Sequence, residues 1–218
     1  MCRPTAMQRC RRHIRFTTHM DTYYHIARPG EGQYREKMSR FLAFAVPVAD
    51  AADARDRIKE YQNAYHDARH ICWAYMLGPE MSDWQLNDNG EPSGTAGKPI
   101  LGQIRSHGVT DVLVVVVRYF GGIKLGTSGL ISAYREAASL ALDDAGSKEM
   151  HRMTDVTVEV PYISLDGVMR IIKESETEIV EQKFDLLCRL RLRMRADNSS
   201  LLIGKMSKTE GVHITVVE

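Results

Sequence analysis

The sequence predicts an α+β protein with two domains, each built from strands and helices around its own core. Two hydrophobic periods occur in the chain: short β-branched and aromatic runs typical of strands, and longer segments with apolar residues at helical spacing. A near-continuous apolar run at 111–119 indicates a strand buried on both faces. The composition, with 44% hydrophobic and 26% charged residues over 218 positions, is ordinary for a globular chain.

The first 20 residues differ in charge from the rest of the chain. The formal net charge of the whole chain is only +1, yet this segment has no acidic residue and contains Arg3, Arg9, Arg11, Arg12 and Arg15. It also lacks an apolar run of signal-peptide length. We expect residues 1–20 to be a basic extension, disordered or non-native, with initiation at Met20. A transit peptide or a basic arm is the alternative.

The cysteines and the hydropathy indicate a compartment. The four cysteines are scattered and form no Cys-x-x-Cys pair, which disfavours a zinc site or a disulfide framework. No window approaches the roughly 18 apolar residues needed to span a bilayer. We therefore expect a cytoplasmic protein without a membrane partner. The near-neutral net charge means that any affinity for nucleic acid depends on local charge clusters.

The N-terminal domain is predicted for residues 21–148. Its pattern gives a strand at 40–48, a helix within 49–67, a strand at 70–77, a polar loop at 87–99, a helix starting at Pro99, a strand at 111–119 and a helix at 127–145. Gly146 is suited to end the last helix. This domain is expected to be an α/β layer structure.

The C-terminal domain is predicted for residues 153–218. Its segments DVTVEVPY, ETEIVEQKF, LLCRLRLRMRA and VHITVVE have strand patterns, and the two segments SLDGVMRIIKES and DNSSLLIGKMSKTEG have helix patterns. The resulting order, βαββαβ, is that of the ferredoxin-like split βαβ motif.

A glycine-rich loop, GGIKLGTSG at 121–129, lies between the apolar strand and the last helix of the first domain. Its glycines free the backbone, and Thr127 and Ser128 are placed to cap a helix whose N-terminus attracts anions. The lysine, Lys124, does not follow a glycine directly as a phosphate loop requires, and no Gly-x-Gly occurs. The loop is therefore either an anion site or a tight turn capped by Thr127.

A second loop, DNGEPSGTAGKPI at 88–100, has a similar make-up of glycines, hydroxyls and a lysine before a helix. If the two loops meet in space, they predict a shared anion site with Lys98, Arg118 and Lys124 as cationic contacts. Asp88 and Glu91 oppose this prediction, because carboxylates repel phosphate unless a metal bridges them. Two ordinary polar turns are the alternative.

Other candidate chemistry is weaker. His66, Arg69 and His70 straddle a helix end and a strand start, which favours a polar rim of the same cleft over a metal site. No Gly-x-Ser-x-Gly elbow is present, and Cys72 lies in a strand where a buried, inert thiol is the default. We assign no catalytic residue, metal or cofactor.

Arginines alternate with apolar residues in the second domain at positions 189, 191, 193 and 195. A period of two places them on one face of the sheet. Arg191 and Arg193 would then belong to an RNA-binding platform, although the stacking aromatics of such platforms are missing. Ion pairing of the arginines with Glu159, Glu178 or Glu181 is the alternative.

The segments HDARHICWAYMLG, DNGEPSGTAGKPIL and VVVVRYFGGIKLGTSGLISAY together resemble the signature segments of the IMPACT/YigZ family, in its two-domain bacterial form, over 22–218. Asn89, Ile71 and Ser128 depart from that pattern, where aspartate, a second histidine and glycine are common. The motif residues carried over are Glu91, Pro92, Gly94, Thr95, Ala96, Gly97, Arg118, Gly121, Gly122, Lys124, Gly126 and Gly129.

The resemblance implies a first domain with the fold shared by a ribosomal-protein domain and domain IV of elongation factor G, and a ferredoxin-like second domain. It implies a translation-linked role, since eukaryotic relatives regulate translation by competing for an activator of a stress kinase. We expect a non-enzymatic, translation-linked regulator that binds nucleic acid, possible partners being RNA or the ribosome, or a ribosomal component, through the glycine-rich loops. The alternatives are a regulator that binds a protein partner, and an enzyme for a small phosphorylated substrate that uses Asp88 or Glu91 as base or metal ligand and Lys124 on phosphate.

Overall fold

The structure is a computed structural model that describes residues 21–217, so the predicted basic extension lies outside the described range. The chain is an α+β protein. In order, its elements are β1 (Thr22–Ile26), β2 (Gly30–Glu36), β3 (Ser39–Pro47), α1 (Ala51–Ala64), β4 (His70–Leu77), β5 (Asp83–Asn87), α2 (Gly97–His107), β6 (Val112–Tyr119), α3 (Gly126–Ala145), β7 (Ser147–His151), β8 (Met153–Val160), α4 (Leu165–Lys173), β9 (Glu178–Phe184), β10 (Cys188–Arg195), α5 (Ala196–Met206) and β11 (His213–Val217).

The first core is built around a five-stranded antiparallel sheet in the order β2-β3-β6-β4-β5. Strand β6 lies at its centre, and the prediction that it is buried on both faces is confirmed. Val112, Val114 and Val116 face α2 and α3, whereas the alternate residues Leu113 and Val115 face α1. A helix layer on each face explains why the strand reads as a continuous apolar run rather than an alternating one.

Sequence patterns missed four strands of this part of the chain. β1, β2, β5 and β7 are short, and most of their residues are exposed or only partly buried. A strand that buries little apolar surface shows no hydrophobic alternation. β1 and β7 pair with each other and form a separate two-stranded sheet.

Helix α3 approaches the sheet closely over β2. A Cβ atom added at Gly30 would lie 2.3 Å from the carbonyl oxygen of Ala141 and 2.5 Å from the amide nitrogen of Ala145. A Cβ atom at Gly32 would lie 2.6 Å from the amide nitrogen of Ala141. Glycine on the strand and alanine on the C-terminal half of the helix therefore set the distance between the two elements.

The second core lies under a four-stranded antiparallel sheet in the order β11-β8-β10-β9. The elements follow as strand, helix, strand, strand, helix, strand, as the sequence indicates. On β10 the residues Cys188, Leu190, Leu192 and Met194 are buried with α4 and α5, so the predicted alternation is confirmed. Among residues 21–217, no helix combines the length and the apolar character needed to cross a membrane.

The contact between β2 and α3 generates a stability prediction. Gly30→Ala should lower the free energy of unfolding by about 1–3 kcal/mol, because the added methyl group overpacks a backbone contact. Gly102→Ala is the matched control: this glycine lies on the exposed side of α2 with nothing within 4 Å of its Cβ position. Alanine there should raise the free energy of unfolding by roughly 0.5–1 kcal/mol through helix propensity. Urea denaturation followed by circular dichroism measures both, and equal shifts would contradict the packing argument.

Candidate functional site

The two glycine-rich loops meet at one end of the five-stranded sheet and enclose a cleft of about 430 Å³, here called the loop cleft. One wall comes from Glu91 and Pro92 of the loop before α2. The opposite wall comes from the loop before α3. The remaining lining comes from the start of β4, the end of β6 and the first turn of α3, namely Arg69, His70, Arg118, Phe120, Lys124, Leu125, Gly126, Thr127 and Leu130.

Asp88 organises the loop before α2. One carboxylate oxygen accepts hydrogen bonds from the backbone N–H groups of Ala96 at 3.0 Å and Gly97 at 2.8 Å, and the other accepts one from Gly94 at 2.8 Å. The carboxylate therefore occupies the position at the α2 N-terminus where an external anion would bind. Asp88 is therefore held by internal donors at this helix end, and the predicted shared anion site of the two loops stays a prediction.

Glu91 and Arg118 form a buried ion pair between this loop and β6. Arg118 Nη1 lies 2.5 Å from Glu91 Oε1, and their side chains are only 7% and 4% exposed. Arg118 also lies between two aromatic rings, 5.5 Å from the ring centre of Phe41 and 5.6 Å from that of Phe120. The sequence predicts Arg118 as a cationic contact of an anion site. In the structure its charge is compensated by Glu91 inside the protein.

Tyr134 of α3 completes this polar cluster. Its buried hydroxyl donates a hydrogen bond to Glu91 Oε1 at 3.0 Å and lies 3.3 Å from Cys72 Sγ. Burial raises the pKa of the tyrosine far above its ordinary value. The sequence placed Tyr134 among the apolar positions of an amphipathic helix, and periodicity cannot show that its hydroxyl reaches a carboxylate on another loop.

Cys72 is buried and unreactive in character, as predicted. Its thiol lies 3.0 Å from the carbonyl oxygen of Asp88, and burial raises its pKa to about 12. A thiol with such a pKa carries almost no thiolate at neutral pH and is a poor nucleophile.

The loop before α3 turns with the help of three glycines. Gly121 lies so close to the turn between β2 and β3 that a Cβ atom added to Gly121 would clash with the backbone of Met38 and Ser39. Gly122 and Gly126 have φ angles of 89° and 74°, in the region that favours glycine. The alternative prediction for this loop is a tight turn capped by Thr127. The backbone geometry confirms the tight turn.

The predicted cap of α3 is wrong. The helix begins at Gly126 with Leu125 in the capping position, and no side chain caps its first turn. Thr127 is exposed and lies inside the helix instead of before it. The first turn of this 20-residue helix therefore has no side-chain cap from residues 21–217, and its residues Gly126 and Thr127 line the loop cleft.

Cationic side chains surround this helix end. Lys124 and Arg69 are both accessible to solvent, and neither has an ion-pair or hydrogen-bond partner in the described range. His70 lies beside them, held by a 2.9 Å hydrogen bond between its Nδ1 and the carbonyl oxygen of Asn89. Positive charge in the cleft thus comes from residues at the start of β4 and from the loop before α3.

Several predicted site residues lie elsewhere. Lys98 is exposed on α2 outside the cleft lining, and His66 contacts the carbonyl oxygen of Asn63 on α1. Thr95 is buried, and its hydroxyl donates to the carbonyl oxygen of Pro92 at 2.6 Å. The loop glycines Gly94, Gly97 and Gly129 have backbone roles: Gly94 has a positive φ angle, and Gly97 and Gly129 lie close to neighbouring side chains.

In the described range, no group of three His, Cys, Asp or Glu residues could hold a metal ion.

The arginines of β10 are already paired. Arg189 bonds Glu159 at 2.6 Å, as the alternative prediction allowed. Arg191 and Arg193 both bond Asp155 on β8, at 3.1 and 2.8 Å, and the hydrogen bond from Arg193 lowers the pKa of this carboxyl. Glu181 pairs with Lys183 instead. Much of the positive charge of the proposed platform is thus compensated within the sheet.

The chain is thus an α+β protein with a cationic helix-end cleft between two glycine-rich loops. Residues 37–142, which contain both loops, match the sequence profile of the Impact N-terminal domain. The chain belongs to the IMPACT family.

Curated relatives and a solved structure share most of the chain. IMPACT family member YigZ of Escherichia coli (strain K12) is 33% identical over 173 residues, covering 78% of this chain and 85% of that protein. IMPACT family member YvyE of Bacillus subtilis (strain 168) is 34% identical, covering 72% of each chain. A crystal structure of a hypothetical protein superposes with a TM-score of 0.70 at 29% identity, covering 91% of this chain and 98% of that chain.

The environment of Cys72 predicts very slow alkylation in the folded protein. Because its pKa is about 12, iodoacetamide at pH 8 should modify it at least about a hundredfold more slowly than an ordinary thiol with a pKa near 8.5. Peptide mass spectrometry resolves the reaction at each cysteine. The urea-unfolded chain is the control, in which Cys72 and Cys188 should react alike. Fast modification of native Cys72 would contradict the assigned burial.

The buried ion pair predicts strong coupling between its two members. Glu91→Gln should lower the free energy of unfolding by about 3 kcal/mol, because Arg118 loses its counter-charge in a desolvated position. The double variant Glu91→Gln/Arg118→Met should be more stable than the sum of the two single changes implies.

An exposed ion pair provides the control for this experiment. Asp56 and Lys59 lie 2.9 Å apart on α1 with about 70% of each side chain exposed, so Asp56→Asn should leave the urea midpoint unchanged. If the changes in unfolding free energy of the two single variants add up to that of the double variant, Glu91 and Arg118 are not energetically coupled.

Proposed function

We propose that this chain is a non-enzymatic, translation-linked regulator that acts in the cytoplasm and binds RNA, or a ribosomal component containing RNA, through the loop cleft. The observation that carries the proposal is the uncapped N-terminus of α3, which opens into a cleft beside Lys124 and Arg69. The proposal includes two domains, 21–148 and 153–218, with folds like domain IV of elongation factor G and like ferredoxin. The strand order β11-β8-β10-β9 supports the second assignment.

The cleft has the chemistry that phosphate requires. Unpaired N–H groups at a helix N-terminus point toward an anion, and the helix dipole favours negative charge there. Lys124 supplies a mobile ammonium group, and Arg69 supplies a guanidinium group with fixed donors. With a formal net charge of only +1, the chain has no bulk attraction to nucleic acid. Binding is therefore expected to depend strongly on these few local charges.

The enzymatic alternative gains no support from the carboxylates. Asp88 accepts three backbone hydrogen bonds, and Glu91 is bonded to Arg118 and Tyr134. A general base must be within reach of the proton that it removes, and the side chain of Glu91 is only 4% exposed. Both carboxylates instead hold the walls of the cleft in place.

Substitution of Lys124 tests the RNA proposal. A chain that begins at Met20, and so lacks the arginine-rich segment, is titrated with structured RNA and with ribosomes at several salt concentrations. Lys124→Ala should weaken binding and reduce the slope of log affinity against log salt by about 1, since one phosphate contact is lost. Lys98→Ala removes a lysine outside the cleft and serves as the matched control. Equal losses for the two lysines, or no binding by the unmodified protein, would reject the proposal.

The paired arginines of β10 predict a different result. Because Arg191 and Arg193 are bonded to Asp155, Arg191→Ala/Arg193→Ala should leave the salt slope close to that of the unmodified protein. A slope reduced by about 2 would instead place the phosphate contacts on the second sheet.

An apolar surface in the second domain favours a second candidate function, binding of a protein partner. The tip of the β9–β10 hairpin and the segment after β8 expose Tyr162, Ile163, Phe184, Leu186 and Leu187. The Tyr162 hydroxyl donates to the carbonyl oxygen of Asp185, so the two segments are adjacent. Ile163→Ser/Leu186→Ser should weaken ribosome binding without affecting free RNA if this surface contacts a ribosomal protein. Unchanged ribosome binding would remove this candidate.

A further inference from the structure

We infer that the loop cleft accepts one unstacked nucleotide, with its phosphate at the N-terminus of α3 and its base against Phe120. This inference rests on the proposed function for its ligand class and makes it more specific: the protein would select single-stranded over double-stranded RNA. Three features of the cleft carry it, namely its anion-binding end, its apolar side and its size.

The anion-binding end contains more than an open helix terminus. Arg118 lines the cleft and is more than nine-tenths buried, yet its Nε has no hydrogen-bond partner within residues 21–217. A buried donor without a partner is costly, and such groups are rare unless a ligand or water completes them. Arg118, which has this unused donor, lines the cleft together with Lys124 and the uncapped first turn of α3.

The carboxylate of Glu91, also in the lining, does not oppose an anion here. Its side chain is 4% exposed, and its Oε1 is bonded to both Arg118 and Tyr134. The remaining charged groups that line the cleft are Arg69 and Lys124. The cleft therefore has a cationic balance although it contains an acidic residue.

The apolar side of the cleft suits an aromatic base. Phe120 is 45% exposed, and its ring also contacts Arg118. Pro92, Leu125 and Leu130 extend the apolar surface. Proteins that bind single strands stack bases on such exposed aromatic rings, and every base has a face that can stack. A base in a duplex is covered by its neighbours and cannot reach Phe120 in this way.

The volume agrees with a ligand of this kind. At about 430 Å³ the cleft lies in the lower part of the range, roughly 300–1,000 Å³, that small-ligand pockets occupy. One nucleotide unit provides a dianionic or monoanionic phosphate and a flat ring, which matches the two chemically different ends. Inorganic phosphate alone would leave the apolar side unused.

Calorimetric titration with defined probes tests the inference. Adenosine monophosphate should bind at least about tenfold more tightly than either adenosine or inorganic phosphate. A single-stranded RNA oligonucleotide should displace it, whereas the duplex of the same sequence should not. An affinity for the monophosphate no higher than that for inorganic phosphate, or equal competition by the duplex, would overturn the inference.

Two variants separate the roles of the ends. Phe120→Ala should weaken monophosphate binding about tenfold or more through lost stacking while leaving inorganic phosphate binding unchanged. Lys124→Ala should weaken both. Trp84→Ala is the matched control, because Trp84 is an aromatic residue of similar exposure, 43%, outside the cleft lining. Circular dichroism spectra of all variants establish that they fold, and Phe120→Leu replaces Phe120→Ala if that variant does not.

Failure of the inference and failure of the proposed function give different results. RNA binding that depends on Lys124 but is equal for single and double strands would reject the single-nucleotide site and retain the function. Monophosphate binding that depends on Phe120, without any affinity for RNA or ribosomes, would retain the site and reject the function.

Discussion

The arrangement of the cleft depends on the buried ion pair between Glu91 and Arg118. It joins the loop before α2 to the end of the central strand β6, and Tyr134 links the same carboxylate to α3. Each charge is desolvated and is tolerable only because the other is present. Three elements that are distant in sequence are thereby held at fixed positions around one cavity. The first turn of α3 faces that cavity because Tyr134, farther along the same helix, is bonded to the opposite wall.

The loop before α2 contains acidic residues although its glycines, hydroxyls and lysine are typical of an anion site, and the fold explains why. Asp88 takes the hydrogen bonds that a phosphate would take at α2, and so it gives the loop a fixed shape without a ligand. The corresponding end of α3 has no side-chain cap from the described residues. The two glycine-rich loops therefore differ: the helix end at α2 is occupied by the Asp88 carboxylate, whereas the helix end at α3 has no side chain from the described residues in the corresponding position.

Charge on the four-stranded sheet β11-β8-β10-β9 is also compensated internally. The exposed arginines of β10 lie opposite Glu159 and Asp155 on β8, and each arginine bonds one of these carboxylates or another nearby group. The exposed apolar residues at the hairpin tip, such as Leu186 at 92% exposure, have no comparable cover in the described range. Matches to curated family members extend over 72–79% of the chain.

The elements that bury apolar surface could be predicted from the residues alone: β3, β4, β6, α3 and the βαββαβ order of the second part, because burial imposes a period on the side chains. The burial of Cys72 could also be predicted. The polar strands β1, β2, β5 and β7 could not, since they bury little. Which charges are free depends on the tertiary fold. In the sequence, nothing distinguishes Asp88, Glu91 and Arg118 from binding-site residues, but in the fold they are bonded to partners inside the protein. Lys124 and Arg69 remain accessible in the cleft, because no opposite charge among the described residues lies against them.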